Sequence, residues 1–371
     1  MTGDGPFDYA RFYKELRESE RLQVSRDEMT WVQRYRAPER PADVLVGFSC
    51  GMQSVPHLML VLTALLEQLG VDFVGTAGPE FCCGKPYQRS VKRREMGDRV
   101  AATTIRRNAS YRPSVSVQCC GSCFVEFTRQ VGALRDRTGS APYEVVHITR
   151  FILDTLKRLG DAVPWRREIP CRVLLHAEGA EVHPSKVVHR DDVIETLGLI
   201  PGVEYAGLVA DPARGSPCVS RQGEEASVLS DLSADEYEEV LAELRAQADA
   251  ADAQMILTLH HKCHREWSKF TSRRLPVVYY PALLCEALGV AVRDRFQMLW
   301  RLGDPEQVLA HTRGNWESWG ISEEEARELV RKFFVPEYAD GIQRCPCEGT
   351  CFTAPAGAGD DTLCTAAGLW G

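Results

Sequence analysis

Short apolar runs of strand length alternate with helix-length stretches along most of this chain. "DVLVGFS" (43–49) is β-rich and ends at Cys50-Gly51, and "VPHLMLVLTALLEQLG" (55–70) has the length and leucine content of a buried helix, with Gly70 as its stop. "VDFVG" (71–75) reads as a second strand running into Pro79-Glu80-Phe81-Cys82-Cys83-Gly84. A basic helix is expected over roughly 88–107, then the strand "SVSVQ" (114–118), then Cys119-Cys120-Gly121-Ser122-Cys123 opening another helix. Strand, helix, strand, helix, strand predicts a parallel sheet flanked by helices. In such sheets functional groups gather beyond the carboxyl ends of the strands, and all three cysteine groups fall there. The second half runs in the same order. "CRVLLHAEG" (171–179) parallels "DVLVGFSCG", "ETLGLIPGVEYAGLV" (195–209) parallels "EQLGVDFVGTAG", "GSPCVSRQG" (215–223) stands where "EFCCGKPYQ" stood, and "QMILTLHHKCHREW" (254–267) answers "VSVQCCGSCFVEF". The expectation is an α/β fold of two pseudo-symmetric domains with small parallel sheets. The boundaries are 1–42 for an N-terminal helical extension, 43–165 and 166–300 for the two domains, and 301–371 for a helical segment (305–334) and Cys-rich tail.

Composition narrows the function. A chain of 371 residues that is 44% hydrophobic can bury a core, and a net charge of -8 argues against general nucleic-acid binding. No basic or apolar leader opens the N-terminus, and the most apolar helical stretch, His57–Leu66, is too short to cross a bilayer. A soluble, cytoplasmic protein is expected. In that reducing setting fourteen cysteines read as metal ligands or redox thiols rather than staples. Six lie between Cys50 and Cys123 and four between Cys345 and Cys364; Cys285, inside "PALLCEALG", reads as a small buried hydrophobe.

The first group is spaced Cys50-x31-Cys82-Cys83-x36-Cys120-x2-Cys123. Thiolates are soft ligands for iron–sulfur clusters, zinc or copper(I). Five sulfurs exceed what one tetrahedral ion holds and suit a multi-iron cluster, with the glycines after each pair letting the backbone approach the inorganic core. Cys119 is an additional cysteine beside the set. In these residues the chain resembles the cysteine-rich CCG domain found in the B-type component of heterodisulfide reductase and in its relatives, among them iron–sulfur subunits of glycolate, lactate and glycerol-3-phosphate oxidation. The resemblance covers roughly 43–300 and is strong in the first half. It implies two CCG-type domains facing each other across a pseudo-two-fold, and a noncubane [4Fe-4S] cluster held by Cys50, Cys82, Cys83, Cys120 and Cys123.

The second half departs from five cysteines. It offers His176-x41-Cys218-x41-His260-x2-Cys263, with His261 and His264 alongside. Aligned on the repeat, His176 lies opposite Cys50, Cys218 opposite the cysteine pair, His260 opposite Cys120 and Cys263 opposite Cys123. Three readings stay open: a zinc site or altered cluster on His176, Cys218, His260 and Cys263; a domain kept for its fold; or a substrate pocket in which His260, His261 or His264 transfers protons. The tail, Cys345-x-Cys347-x3-Cys351-x12-Cys364, is a candidate for a further zinc or Fe–S site, with redox thiols as the alternative. Arg89 leads a run of Arg and Lys at a helix start next to the cysteines and is the candidate anchor for a substrate carboxylate or phosphate.

Three functions compete. The first is a cluster-based reductase or lyase acting on a sulfur-containing or disulfide substrate, supplied with electrons by a flavoprotein or ferredoxin-like partner. The second is an electron-transfer subunit of a flavin-dependent dehydrogenase complex, against which stands the lack of linear ferredoxin-type cysteine runs. The third, a zinc-binding non-redox protein, is opposed by the five-thiolate count.

Overall fold

In the computed structural model the described residues are 8–38, 40–89, 93–177, 184–218, 227–272, 275–342 and 344, with the backbone alone for 88–89 and 184–188. Two four-stranded parallel sheets form the frame. The first contains β1 (Val44–Gly47), β2 (Phe73–Thr76), β3 (Val115–Gln118) and β4 (Glu144–His147), in the order β2-β1-β3-β4. The second contains β5 (Cys171–His176), β6 (Val203–Leu208), β7 (Met255–Thr258) and β8 (Val277–Tyr279), in the matching order β6-β5-β7-β8. Every pairing is parallel, so each crossover carries helices onto the sheet faces.

The helices are α1 (Tyr9–Gln23), α2 (His57–Gln68), α3 (Arg94–Ser110), α4 (Gly121–Thr138), α5 (Ile148–Leu159), α6 (Pro184–Leu197), α7 (Ala234–Ala250), α8 (His261–Trp267), α9 (Tyr280–Ala287), α10 (Arg295–Leu302), α11 (Pro305–His311), α12 (Arg313–Ser318) and α13 (Glu323–Phe333). The basic helix expected from residue 88 starts later. Gly84 in the left-handed region and Pro86 first turn the chain through a short 3-10 segment, Lys85–Arg89, and the α-helix begins at Arg94. The tail expected as one helical stretch over 305–334 is three helices, α11 to α13, with a left-handed Gly320 between the last two.

The halves are joined crosswise. Helix α2, which follows the first strand of its sheet, packs on α9, which follows the last strand of the other; α6 and α5 repeat that contact with the roles of the halves exchanged. This is what a pseudo-two-fold predicts. One apolar core runs through the junction. Val46, Leu175 and Leu257 point into it, together with Leu58, Leu62 and Leu65 of α2 and Leu283 and Leu284 of α9. The alternating strand neighbours Leu174 and Ile256 face a second cluster under α7. Each fully buried leucine contributes about 2 kcal/mol by area removed from water. Helix α9 is buried all round, including Cys285, whose thiol donates to the Val61 carbonyl (3.5 Å). Helix α1 lies outside both sheets. The indole of Trp319 donates to Val24 O (2.9 Å) and Asn315 to Leu22 O (3.0 Å), and Gln23 donates to Ser54 O (2.9 Å), which ties α1 to the turn that carries Cys50.

Candidate metal centre and the histidine rim

Three strand ends deliver the first-half cysteines. Cys50 opens the 3-10 turn after β1, Cys82 and Cys83 follow the turn after β2, and Cys120 is the N-cap of α4, one residue past the end of β3 plus Cys119. All five thiols are unoxidised and crowd together. The Cys123 and Cys82 thiols face Cys83, and the Cys83 sulfur also meets the Lys85 amide, so Cys83 is held well below the usual thiol range against the cost of burial. Cys120 is lowered by the Cys123 thiol and by the amides of Cys123 and Ser122 at the start of α4. The other three are pushed the opposite way. Cys123 is raised by Cys120 and Cys83, Cys82 by Cys83 and burial, and Cys50 by burial and the charges of Cys83 and Cys120, up to about 12. Crowding therefore pulls the sulfurs apart, Cys83 and Cys120 downward and the other three upward, because a buried pocket resists carrying five negative charges unaided. A polycationic metal core would remove that repulsion and displace the thiol protons, so a set of five converging sulfurs fits one.

The structure separates Cys119 from this set. It lies in the shared apolar core, and its field acts on Tyr279 and Tyr280 of the other half. Consecutive residues of an extended strand end point to opposite sides, which sends Cys120 to the pocket and Cys119 to the core. The glycines beside the cysteines also face other parts of the fold. A Cβ on Gly84 would be driven into the backbone carbonyl of Gly97 in α3, with the Gly97 carbonyl carbon only 2.8 Å away. A Cβ on Gly51 would collide with His261 Nε2, and one on Gly121 would touch His189 Nδ1 (3.8 Å) and His260 Cε1 (3.8 Å). Gly84 thus makes room for α3 and Gly51 for His261 of the second half, whereas a side chain at Gly121 would meet its neighbours at ordinary contact distance.

Those histidines form a rim between the halves. Helix α8 packs on the turn Cys50–Ser54, placing His261 over Gly51. His260 sits beside His147 at the end of β4 (ring centroids 5.9 Å) and His189 of α6 (6.0 Å). His147 and His189 stack face to face at 3.5 Å and 7°, and burial, with its two imidazole neighbours, keeps His147 well below the ordinary histidine range. A second network links His264 to the first half. Asp294, the N-cap of α10, accepts from His264 Nε2 (2.6 Å) and lies 3.1 Å from His57 Nε2; Thr258 Oγ1 lies 2.8 Å from His264 Nδ1. Burial opposes the Asp294 charge, yet the two imidazoles and the Gln297 amide outweigh it and hold its carboxyl well below the usual range, while burial pushes His57 down to about 4.

Helix α1 adds aromatic cover that the sequence pattern did not lead us to expect. The Tyr13 hydroxyl is turned toward Cys50 and Cys82, and Tyr9 stacks on Tyr87 at 3.3 Å and 12° beside Cys82. The i, i+4 spacing of Tyr9 and Tyr13 was the available signal; His57, His147, His189 and Asp294 gave none, because they meet only through the crosswise packing.

In the second half His176, Cys218 and Cys263 come together, all buried, with ligand atoms within 4.8 Å of one another and His176 Nε2 3.2 Å from Cys218 Sγ. His260, expected as their fourth member, is instead in the rim with His147 and His189. The repeat alignment also shifts. Gly47 pairs with Gln118 at the end of the first sheet and His176 with Thr258 at the end of the second, so His176 occupies the place of Gly47, three residues before Cys50. Cys345, Cys347, Cys351 and Cys364 lie outside the described residues. Arg89 is described by backbone alone, at the end of the turn after Gly84.

Comparison with known proteins agrees with this site. Residues 48–128 match the cysteine-rich domain named CCG. Over 229 residues the chain is 24% identical to the D-type component of dihydromethanophenazine:CoB--CoM heterodisulfide reductase from Methanosarcina acetivorans, covering 56% of this chain and 50% of that protein. It is 25% identical over 218 residues to the Methanosarcina mazei protein of the same name, with the same coverage, and 24% identical over 205 residues to that of Methanosarcina barkeri. The chain spans about half the length of these relatives. The first half thus carries a CCG domain, and the relatives found are of the D type where the motif resemblance pointed to the B type. Among the described residues no helix is long and apolar enough to cross a membrane.

Proposed function

We propose that this protein is an iron–sulfur oxidoreductase component that reduces a small disulfide or related sulfur substrate, fed with electrons by a partner protein. The observation that carries the reading is the convergence of Cys50, Cys82, Cys83, Cys120 and Cys123 from three strand ends into one pocket, close enough to shift one another's ionisation. These five would hold the group, of the noncubane [4Fe-4S] type that the motif implies. When bound, such a cluster supplies one-electron chemistry and a thiophilic metal face beside the protein's own groups. The relatives' names support the substrate class, since they describe a disulfide formed from two different thiols and a component of a larger assembly.

Cleaving R–S–S–R′ to two thiols consumes two electrons and two protons. The electrons belong to the partner, and the chain's own residues deal with the protons. His261 over Gly51, and His260 with His147 and His189 beside Gly121, set imidazoles along the cysteine pocket. Tyr13, Tyr9 and Tyr87 close its other side against water.

The test is iron and acid-labile sulfide content with EPR on protein purified without oxygen, followed by reduction of a panel of small disulfides with reduced viologen. About four irons per chain with matching sulfide, and disulfide-dependent viologen oxidation lost in His261→Ala at unchanged iron, is the expected result. About eight irons and no turnover on any disulfide would favour the electron-relay role, and zinc without iron would end the redox reading.

A further inference from the structure

From the His176, Cys218 and Cys263 group we infer that the second half holds a single zinc ion in place of the multi-metal core of the first. The two sheets have the same strand order, so their strand-end pockets are comparable position by position. Cys263 stands where Cys123 stands, in the first turn of the helix after the third strand, three residues past its N-cap. Around it the donor set has shrunk. His260 has replaced Cys120 and left the pocket for the rim, and Cys218 stands where the other half has a pair. Two sulfurs and one imidazole cannot hold the core that five thiols can, but they are three of the four donors of a tetrahedral zinc site, the Cys2His set that leaves the fourth position to water.

Geometry and burial support a built site. His176, Cys218 and Cys263 are 2%, 1% and 1% exposed, so these polar atoms have been withdrawn from water together. Their ligand atoms lie within 4.8 Å of one another, the span of neighbouring vertices in a small coordination shell. The His176 ring is fixed by stacking on the buried Trp267 at 4.1 Å, which aims Nε2 at Cys218. Space for that ring comes from a swap of bulk across one strand pair. In the first sheet Gly47 leaves room for the side chain of Gln118, and in the second the large His176 faces the small Thr258. Zinc entry expels the two thiol protons, leaving two thiolates and a neutral imidazole on the ion. The inference holds whether or not the first half carries iron.

Metal analysis and zinc-edge X-ray absorption on the full chain test it. The expected result is one zinc per chain beyond that of the Cys218→Ser/Cys263→Ser double variant, with iron unchanged in that variant and zinc unchanged in Cys171→Ser. If the double variant fails to fold, the wild-type absorption edge decides alone: two sulfurs at about 2.3 Å with nitrogen at about 2.0 Å support the site. An all-sulfur shell would assign the zinc to the tail cysteines and overturn the inference. So would equal zinc in wild type and a folded double variant, or a wild type that contains no zinc and shows no thiolate-to-metal charge transfer on cobalt addition, which would leave His176 and Cys218 as a hydrogen-bonded pair.

Discussion

Gly84→Ala tests whether the loop that carries Cys82 and Cys83 is positioned by contact with α3. Two costs add at this residue. Its φ of +79° lies in the left-handed region, which charges an L-residue roughly 1–2 kcal/mol. A Cβ there also meets the Gly97 carbonyl, a backbone group that can yield only if α3 moves, and overpacking of this kind costs typically about 1–3 kcal/mol. The sum is about 2–5 kcal/mol. At roughly 2–4 °C per kcal/mol for units of 150–250 residues, the melting point should fall by about 4–20 °C. Gly139→Ala is the matched control. Its φ is +80°, and nothing lies within 4 Å of the added carbon, so it should show the conformational cost alone, about 2–8 °C. Paired thermal melts with iron determination on the same samples give both readouts, and Gly84→Ala should also lose iron because displacing α3 moves Cys82 and Cys83. Equal melting shifts for the two variants, with full iron in both, would refute the argument that contact with α3 places the loop.

The cysteines divide by where they point: Cys82→Ala and Cys83→Ala should each lose most iron, whereas Cys119→Ala and Cys285→Ala, both facing the apolar core, should keep it, as metal analysis will show. Glu20 is buried, and desolvation raises its carboxyl from 4.5 to about 7 against the help of Gln33 and Arg17. A raised acid costs nothing below pH 4.5 and progressively more up to pH 7, so about 3 kcal/mol of stability should be lost over that interval, and melting curves of Glu20→Gln should be flatter there. Lys269 Nζ is buried against Glu266 (2.8 Å) and Ser227 (2.7 Å). Lys269→Met should cost on the order of 1–3 kcal/mol by removing one of the two cations on buried Glu266, which keeps Arg265 (2.7 Å) and Ser227, and adding Glu266→Gln should restore part of it in the same unfolding assay.

The alternation of strands and helices and the placing of cysteines at strand ends were legible because they depend on local signals. Period-two apolar runs, strand-length spacing and Cys-Cys-Gly at strand ends each act within a few residues. What was not legible depends on how the halves dock. His57 and His264 lie far apart in the chain and meet only because α8 packs on the turn after β1. His147 gave no signal, since its partner His189 comes from the other sheet's first helix. His260, read from the repeat as a member of the second-half metal set, lies beside His147 and His189 across the junction, a neighbourhood that repeat order does not reveal. The shift of His176 from Cys50 to Gly47 is a register effect, and a three-residue offset at a strand end is beyond what repeat order can fix.

The contact of α2 with α9 is apolar, whereas that of α5 with α6 adds Thr149 and Arg150 on Asp192 and the His147–His189 stack to its apolar side chains, so the junction reaches the rim of the first pocket. The pockets are not independent in function. Each half's strand-end histidines and glycines complete the other's surroundings: His261 and His260 of the second half lie over Gly51 and Gly121 of the first. Loss of thiols from the second pocket thus coincides with a gain of imidazoles at the rim of the first. At the position that matches Cys120 the second half carries His260, whose ring lies beside His147 and His189 and near Gly121 of the first half. The proposed reductase reading thus divides the chemistry between the halves, with electrons at the five cysteines and protons at the histidines that the second half sets beside them.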